Sequence, residues 1–169
     1  VRTGQPIRPP HTTESSRPKR IVGRVQVRPD AIDKVNGKAM YADDLVFPGM
    51  LYAAVRRAGV PHAFLRRLDI SAARAAPGVV AVLTAEDIPA AHNHGLVVYD
   101  WPVLVGIGER IRYVGDALAL VAAETQDAAE RALALIEVEA DPQPVIVDAV
   151  EARRDDAPQL HAQGNLLKH

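Results

Sequence analysis

The longest unbroken run of apolar residues in this chain is seven, ALALVAA at 117–123. The other runs are shorter, and most are closed by proline, glycine or a polar turn. No run approaches the roughly 20 residues needed to span a bilayer. Pieces this short and irregular also do not suit a doubly wound nucleotide fold. They suit a small sheet with brief helices against it, and 169 residues are enough for one such domain plus tails.

Reading along the chain, 50–57 (MLYAAVRR) predicts a strand, and 64–70 (FLRRLDI) a second strand pairing with it across Pro61-His62. Ser71 suits the cap of a short helix over 72–76, which Pro77-Gly78 stops. The β-branched run 79–83 (VVAVL) and the run 117–123 predict buried strands. Thr84 can cap a turn through Asp87, and Thr125 a helix over 126–135. Residues 136–139 (IEVE) alternate as an edge strand, and 145–147 predict a further extended piece. A strand–helix–strand order thus occurs twice. The class is α+β, a small mixed sheet with two main helices. Residues 90–109 show no period and predict a long functional or partner-facing loop. Turns are expected at 30–37, sharpest at Asn36-Gly37, and at Phe47-Pro48-Gly49. The tail beyond 150 is polar, with Leu160, Leu166 and Leu167 as candidate anchors.

Charge and composition narrow the chemistry. The formal net charge of −1 points to neither nucleic acid nor an anionic membrane as a partner. Through Arg28, seven basic residues face the single acid Glu14, so 1–20 reads as a basic tail or linker and 21–28 as a short strand or extended arm. There is no cysteine, which excludes disulfides, iron–sulfur ligation and thiolate chemistry in this chain. A reducing compartment is compatible with that, and the cytoplasm is the expected location. The first residue is Val rather than Met, as in a processed chain or a fragment of a longer protein.

No motif completes a catalytic or metal-binding set. Gly106-x-Gly108 lacks the third glycine, Ile111 standing in its place, and precedes a strand rather than a helix, so a glycine turn is expected. His92 and His94 have the spacing of two ligands on one strand but no evident third, so exposed loop histidines are expected. His62 reads as a packed or hydrogen-bonded histidine. Asp43 and Asp44, adjacent on an extended chain, would not share a proton, and one of them is expected to bond loop amides. In Arg112-Tyr113-Val114-Gly115-Asp116, Gly115 allows close approach of a strand or a partner, and a strand-opening turn with an Arg–Asp contact explains the rest equally well.

The order of signatures is more specific than any one of them. It runs from Val22-Gly23, through Asp30-Ala31-Ile32-Asp33-Lys34-Val35-x-Gly37-Lys38-Ala39-x-Tyr41-x-Asp43-Asp44, to Pro48-Gly49-Met50-Leu51-Tyr52. Pro61-His62-Ala63, the stretch from Pro77 to Pro89, Arg112 to Asp116, Ile136-Glu137-Val138-Glu139 and Gly164-Asn165 follow. Together they resemble the start of the molybdenum-binding subunit in the xanthine dehydrogenase and aldehyde oxidase family.

The resemblance implies an α/β hammerhead domain over 21–150, with 151–169 leading toward molybdenum cofactor domains outside this sequence. It implies an oxidoreductase at the level of the assembly, which inserts a water-derived oxygen into an aldehyde or N-heterocycle. In the complete enzyme a molybdopterin-type cofactor, 2Fe-2S clusters and commonly FAD would serve the reaction. The partners would be the cofactor domains, an iron–sulfur domain or subunit and a flavin subunit. This domain would brace the cofactor domains and shape the substrate funnel, with no catalytic, cofactor or metal residue of its own and no activity alone. A free-standing scaffold of the same fold is the alternative. By the same resemblance, an apolar residue after a glycine and before a D-x-P-V step lies near the funnel mouth. Here that stretch is Gly95 to Val103, with Leu96, Val97 and Trp101 as candidates and burial beneath the loop as the competing expectation. The family's S-P-H turn is replaced here by Gly59-Val60-Pro61-His62.

Overall fold

The computed structural model describes Val22 and residues 26–168. The basic tail 1–20 and most of the arm expected over 21–28 lie outside the described residues, and 26–28 carry no strand. The chain divides into two compact units, Val1–Val46 and Phe47–His169.

In the first unit, the turn expected over 30–37 holds a short helix, α1 (Ala31–Val35). Asp30 explains it: its carboxylate pairs with Lys34 one turn on, at 2.7 Å, and with Arg28 at 2.6 Å. Gly37 then takes the left-handed conformation (φ 69°) that ends such a helix. One 3-10 turn follows at Ala42–Asp44, where Asp44 accepts the Tyr41 backbone N–H at 2.9 Å.

Among the described residues the second unit has eight strands: β1 (Tyr52–Arg57), β2 (Ala63–Asp69), β3 (Val79–Leu83), β4 (Asn93–His94), β5 (Trp101–Pro102), β6 (Arg110–Ile111), β7 (Ala117–Ala123) and β8 (Glu137–Pro142). Helix α2 (Ser71–Arg74) lies between β2 and β3, and α3 (Gln126–Ala134) between β7 and β8. The α+β class stands, with the strands divided among three sheets ordered β1-β7-β3, β6-β2-β8 and β4-β5. These pairings are all antiparallel. Both strand–helix–strand units therefore leave one three-stranded sheet and enter the other.

β1 and β2 do not pair with each other as the sequence suggested. After β1, the N–H groups of Ala58 and Gly59 donate to Asp116 and Val114, so the chain stays beside the segment leading into β7. Gly59 (φ 71°) and Pro61 then turn it into the second sheet.

β7 explains its own unbroken apolar sequence, because one face is buried and the other is buried at Leu118 and half-buried at Leu120 and Ala122. Ala119, Val121 and Ala123 join Ala128, Ala129 and Ala132 of α3, with Ala73, Val82 and Ile136, in one core. Leu118 points the other way, into a core with Ala58, Ala63, Leu65, Val105 and Ile111. Leu68 and Val138, directly opposite one another on β2 and β8, pack against both cores. β2 reaches this arrangement through a bulge between Leu65 and Arg67.

Local caps agree in part with the sequence. Thr125 Oγ1 accepts the Ala128 N–H at 3.1 Å at the start of α3. At α2, Ser71 is not the cap. Asp69 accepts both the Ser71 N–H (3.0 Å) and the Ser71 hydroxyl (2.6 Å). β3 is an edge strand with only Val82 buried, and 145–147 form no strand. Leu166 and Leu167 are exposed, so the tail is anchored by polar contacts described below.

Leu118 is fully buried, and truncating it to alanine leaves a cavity in the second core. Chemical denaturation of Leu118→Ala is expected to show a loss of about 2–5 kcal/mol in unfolding free energy.

Candidate functional site

The unperiodic stretch 90–109 contains a small hairpin. β4 and β5 pair Asn93 with Pro102 and His94 with Trp101, and the Val103 N–H donates to His92 at 2.9 Å. Gly95 opens the intervening loop, where a Cβ would stand 1.8 Å from the Val98 carbonyl oxygen, so only glycine fits. Leu96 at its tip is fully exposed, Val97 and Tyr99 are also exposed, and Trp101 is 47% exposed. Burial beneath the loop, the competing expectation for Leu96 and Val97, is not what these residues do.

An aromatic column supports the hairpin. His94 stacks on Trp101 with ring centroids 6.2 Å apart. Trp101 meets Tyr113 edge-on at 5.4 Å. The Tyr113 ring lies over Gly115, where a Cβ would come within 2.3 Å of it. Gly115 thus admits a side chain of its own segment. Asp116, 3% exposed, accepts the N–H groups of Arg112 (2.6 Å) and Tyr113 (3.4 Å). The expected Arg–Asp contact exists, made by the arginine main chain.

The Arg112 guanidinium is left free to reach outward. Its Nη1 donates to the Asp100 carbonyl at 2.7 Å and its Nε to the Leu160 carbonyl at 3.0 Å. The Asp100 carboxylate pairs with the His161 ring, which, with Arg112, holds that carboxyl below its ordinary value despite partial burial. Asn165 braces the same terminal segment. Its Oδ1 accepts the Leu160 N–H, and its Nδ2 donates to Ala152 and Pro158. Sequence reasoning singled out Arg112 and the D-x-P-V step that Asp100 opens, but missed the pairing of Asp100 with His161, since nothing in their spacing brings them together.

The glycine pair is a turn, as expected. Gly108 is left-handed (φ 85°), and the Gly106 N–H donates to Glu109 at 2.7 Å. Glu109 also hydrogen-bonds the His92 ring at 2.9 Å, so His92 is a tethered rather than a free loop histidine. Burial pushes the Glu109 carboxyl up, but the Gly106 bond, His92 and Arg112 outweigh it and leave it below its ordinary value. His62 is buried, its Nδ1 donating to the Pro144 carbonyl at 2.6 Å. Among the described residues no three His, Asp or Glu side chains converge as metal ligands.

Likeness to known proteins decides the family. The family model for the a/b hammerhead domain of aldehyde oxidase and xanthine dehydrogenase matches residues 36–144, more than half the chain. This chain belongs to that family. It is 46% identical over 142 residues to a protein of Bacillus subtilis named as a probable xanthine dehydrogenase subunit, covering 84% of this chain and 19% of that protein. It is 40% identical to the nicotinate dehydrogenase large molybdopterin subunit of Eubacterium barkeri, covering 88% of this chain and 35% of the relative. A crystal structure of a Cu,Mo-CO dehydrogenase superposes with a TM-score of 0.73 at 35% identity, over 83% of this chain and 18% of that one. The hammerhead chain thus spans about a fifth to a third of these relatives' lengths. No helix among the described residues is long and apolar enough to cross a membrane.

The Glu109 contacts predict a pH dependence. Its folded-state pKa lies below the unfolded value of about 4.3, so its stabilisation is complete above that value and is lost as pH falls through the folded one. Glu109→Gln should lower the melting temperature at neutral pH. Melting curves taken on acidification below the unfolded value should show the difference from wild type shrinking.

Proposed function

We propose that this hammerhead is a structural domain of a molybdenum-dependent oxidoreductase of the xanthine dehydrogenase type. It braces the cofactor domains and lends one apolar wall to the substrate funnel. The domain proper is 21–150, and 151–169 lead toward the cofactor domains. The complete enzyme carries a molybdopterin-type molybdenum cofactor, 2Fe-2S clusters and FAD, and works in the cytoplasm. The cofactor domains, an iron–sulfur unit and a flavin unit are the partners.

The observation that carries this reading is the hairpin. Leu96 and Val97 are held in water at the tip of a loop whose base is fixed by Trp101, Tyr113 and Arg112. Exposed apolar residues on a well-braced loop mark a surface that meets something else. A flat, mostly apolar wall suits aromatic or heterocyclic substrates. The relatives named for xanthine and nicotinate support that class.

In the complete enzyme, Leu96→Ala should change kcat/KM unequally for small aldehydes and for fused heterocycles. Equal ratios for wild type and variant would remove Leu96 from the funnel. Purified alone, the 169-residue chain should hold no stoichiometric molybdenum by mass spectrometry and show no hydroxylase activity.

A further inference from the structure

The hairpin's pose depends on contacts distant in sequence. Arg112 follows β6 and is fixed by its own N–H on the buried carboxylate of Asp116, so its guanidinium projects from a rigid base. A guanidinium is a planar fork of donors and can bridge two carbonyls in a fixed geometry. Here one carbonyl belongs to Asp100, next to Trp101, and the other to Leu160. Two further ties run alongside. Arg110 donates to the Gln159 carbonyl, and the His161 ring pairs with the Asp100 carboxylate. The terminal segment is in turn folded on itself by the three bonds of Asn165.

We propose that Arg112 is a positioning residue that couples the Trp101 hairpin to the segment 158–165. The arrangement of that segment sets the pose of the hairpin, and therefore of Leu96 and Val97. Its consequence for substrate choice rests on the funnel-wall reading above, whereas the coupling itself does not. Asp100 joins the two parts twice, through its carbonyl to Arg112 and through its carboxylate to His161. Displacing 158–165 takes away the shared acceptor at Leu160 and the partner at His161 together.

Trp101 is the sole tryptophan, so its emission reports the hairpin directly in the 169-residue chain. Asn165→Ala removes the bonds that fold the terminal segment, and Asn165 makes no hydrogen bond to the hairpin. It should red-shift Trp101 emission and raise its quenching by acrylamide, with far-ultraviolet circular dichroism unchanged. Arg112→Lys keeps the charge but loses the fork and should do the same. The double variant should show no more than the larger single effect, since both remove one coupling. Additive shifts, or a Trp101 signal untouched by Asn165→Ala in a folded chain, would overturn the proposal. If Asn165→Ala fails to fold, Asn165→Asp, which keeps the Oδ1 acceptor for Leu160 but loses the two Nδ2 bonds, gives the same reading. The funnel reading fails separately: Leu96→Ala would leave substrate preference unchanged in the complete enzyme while Asn165→Ala still moved Trp101.

Discussion

Burial of β7 on both faces is the constraint on which the second unit depends. Ala119, Val121 and Ala123 serve the core under α3, and Leu118 serves the other. β7 is central in its sheet, with β1 and β3 pairing its main chain at the edges, while α3 and the second core lie against its two faces. The small side chains follow from the same demand. Ala128, Ala129 and Ala132 let α3 lie close on the alanines of β7, where bulkier residues would lift it away. Both cores then meet through Leu68 and Val138, and the two sheets share one interior boundary.

This dependence explains what the sequence made legible. β7, α3 and the Thr125 cap are local in their physics: an apolar run, a turn of alanines and a hydroxyl one step before it. The glycine turn at Gly106-x-Gly108 was legible for the same reason. Partnership between strands was not local. β1 and β2 are neighbours in sequence with a turn signal between them, yet main-chain bonds from Ala58 and Gly59 keep β1 with β7. At α2, Ser71 is the first helical residue rather than the cap, and Asp69 reaches both its N–H and its hydroxyl.

The hairpin site divides the same way. The glycine, the apolar tip and the D-x-P-V step lie along the chain, and the family resemblance made Leu96, Val97 and Trp101 candidates. The supports could not, since they join side chains to main-chain carbonyls some 12 and 48 positions away in the chain. A carbonyl has no sequence signature, so Arg112 looked like one half of an Arg–Asp pair. In the folded unit its N–H makes that contact, and its guanidinium is free for another. The two-residue strands β4 and β5 lie below any periodicity a sequence can show.

The bulge in β2 has a further consequence. In a strictly alternating strand, one of two successive arginines would be driven into the apolar interior. The extra residue lets Arg66 and Arg67 both face water, Arg66 with Asp141 and Arg67 with Asp69, Glu137 and Glu139. Leu65 and Leu68 meanwhile keep to the same inner side. Loss of one arginine would straighten the strand and thin its outer ladder of charges while leaving both leucines in phase. At this point in the chain, the interior's phase and the surface's charge are separately adjustable.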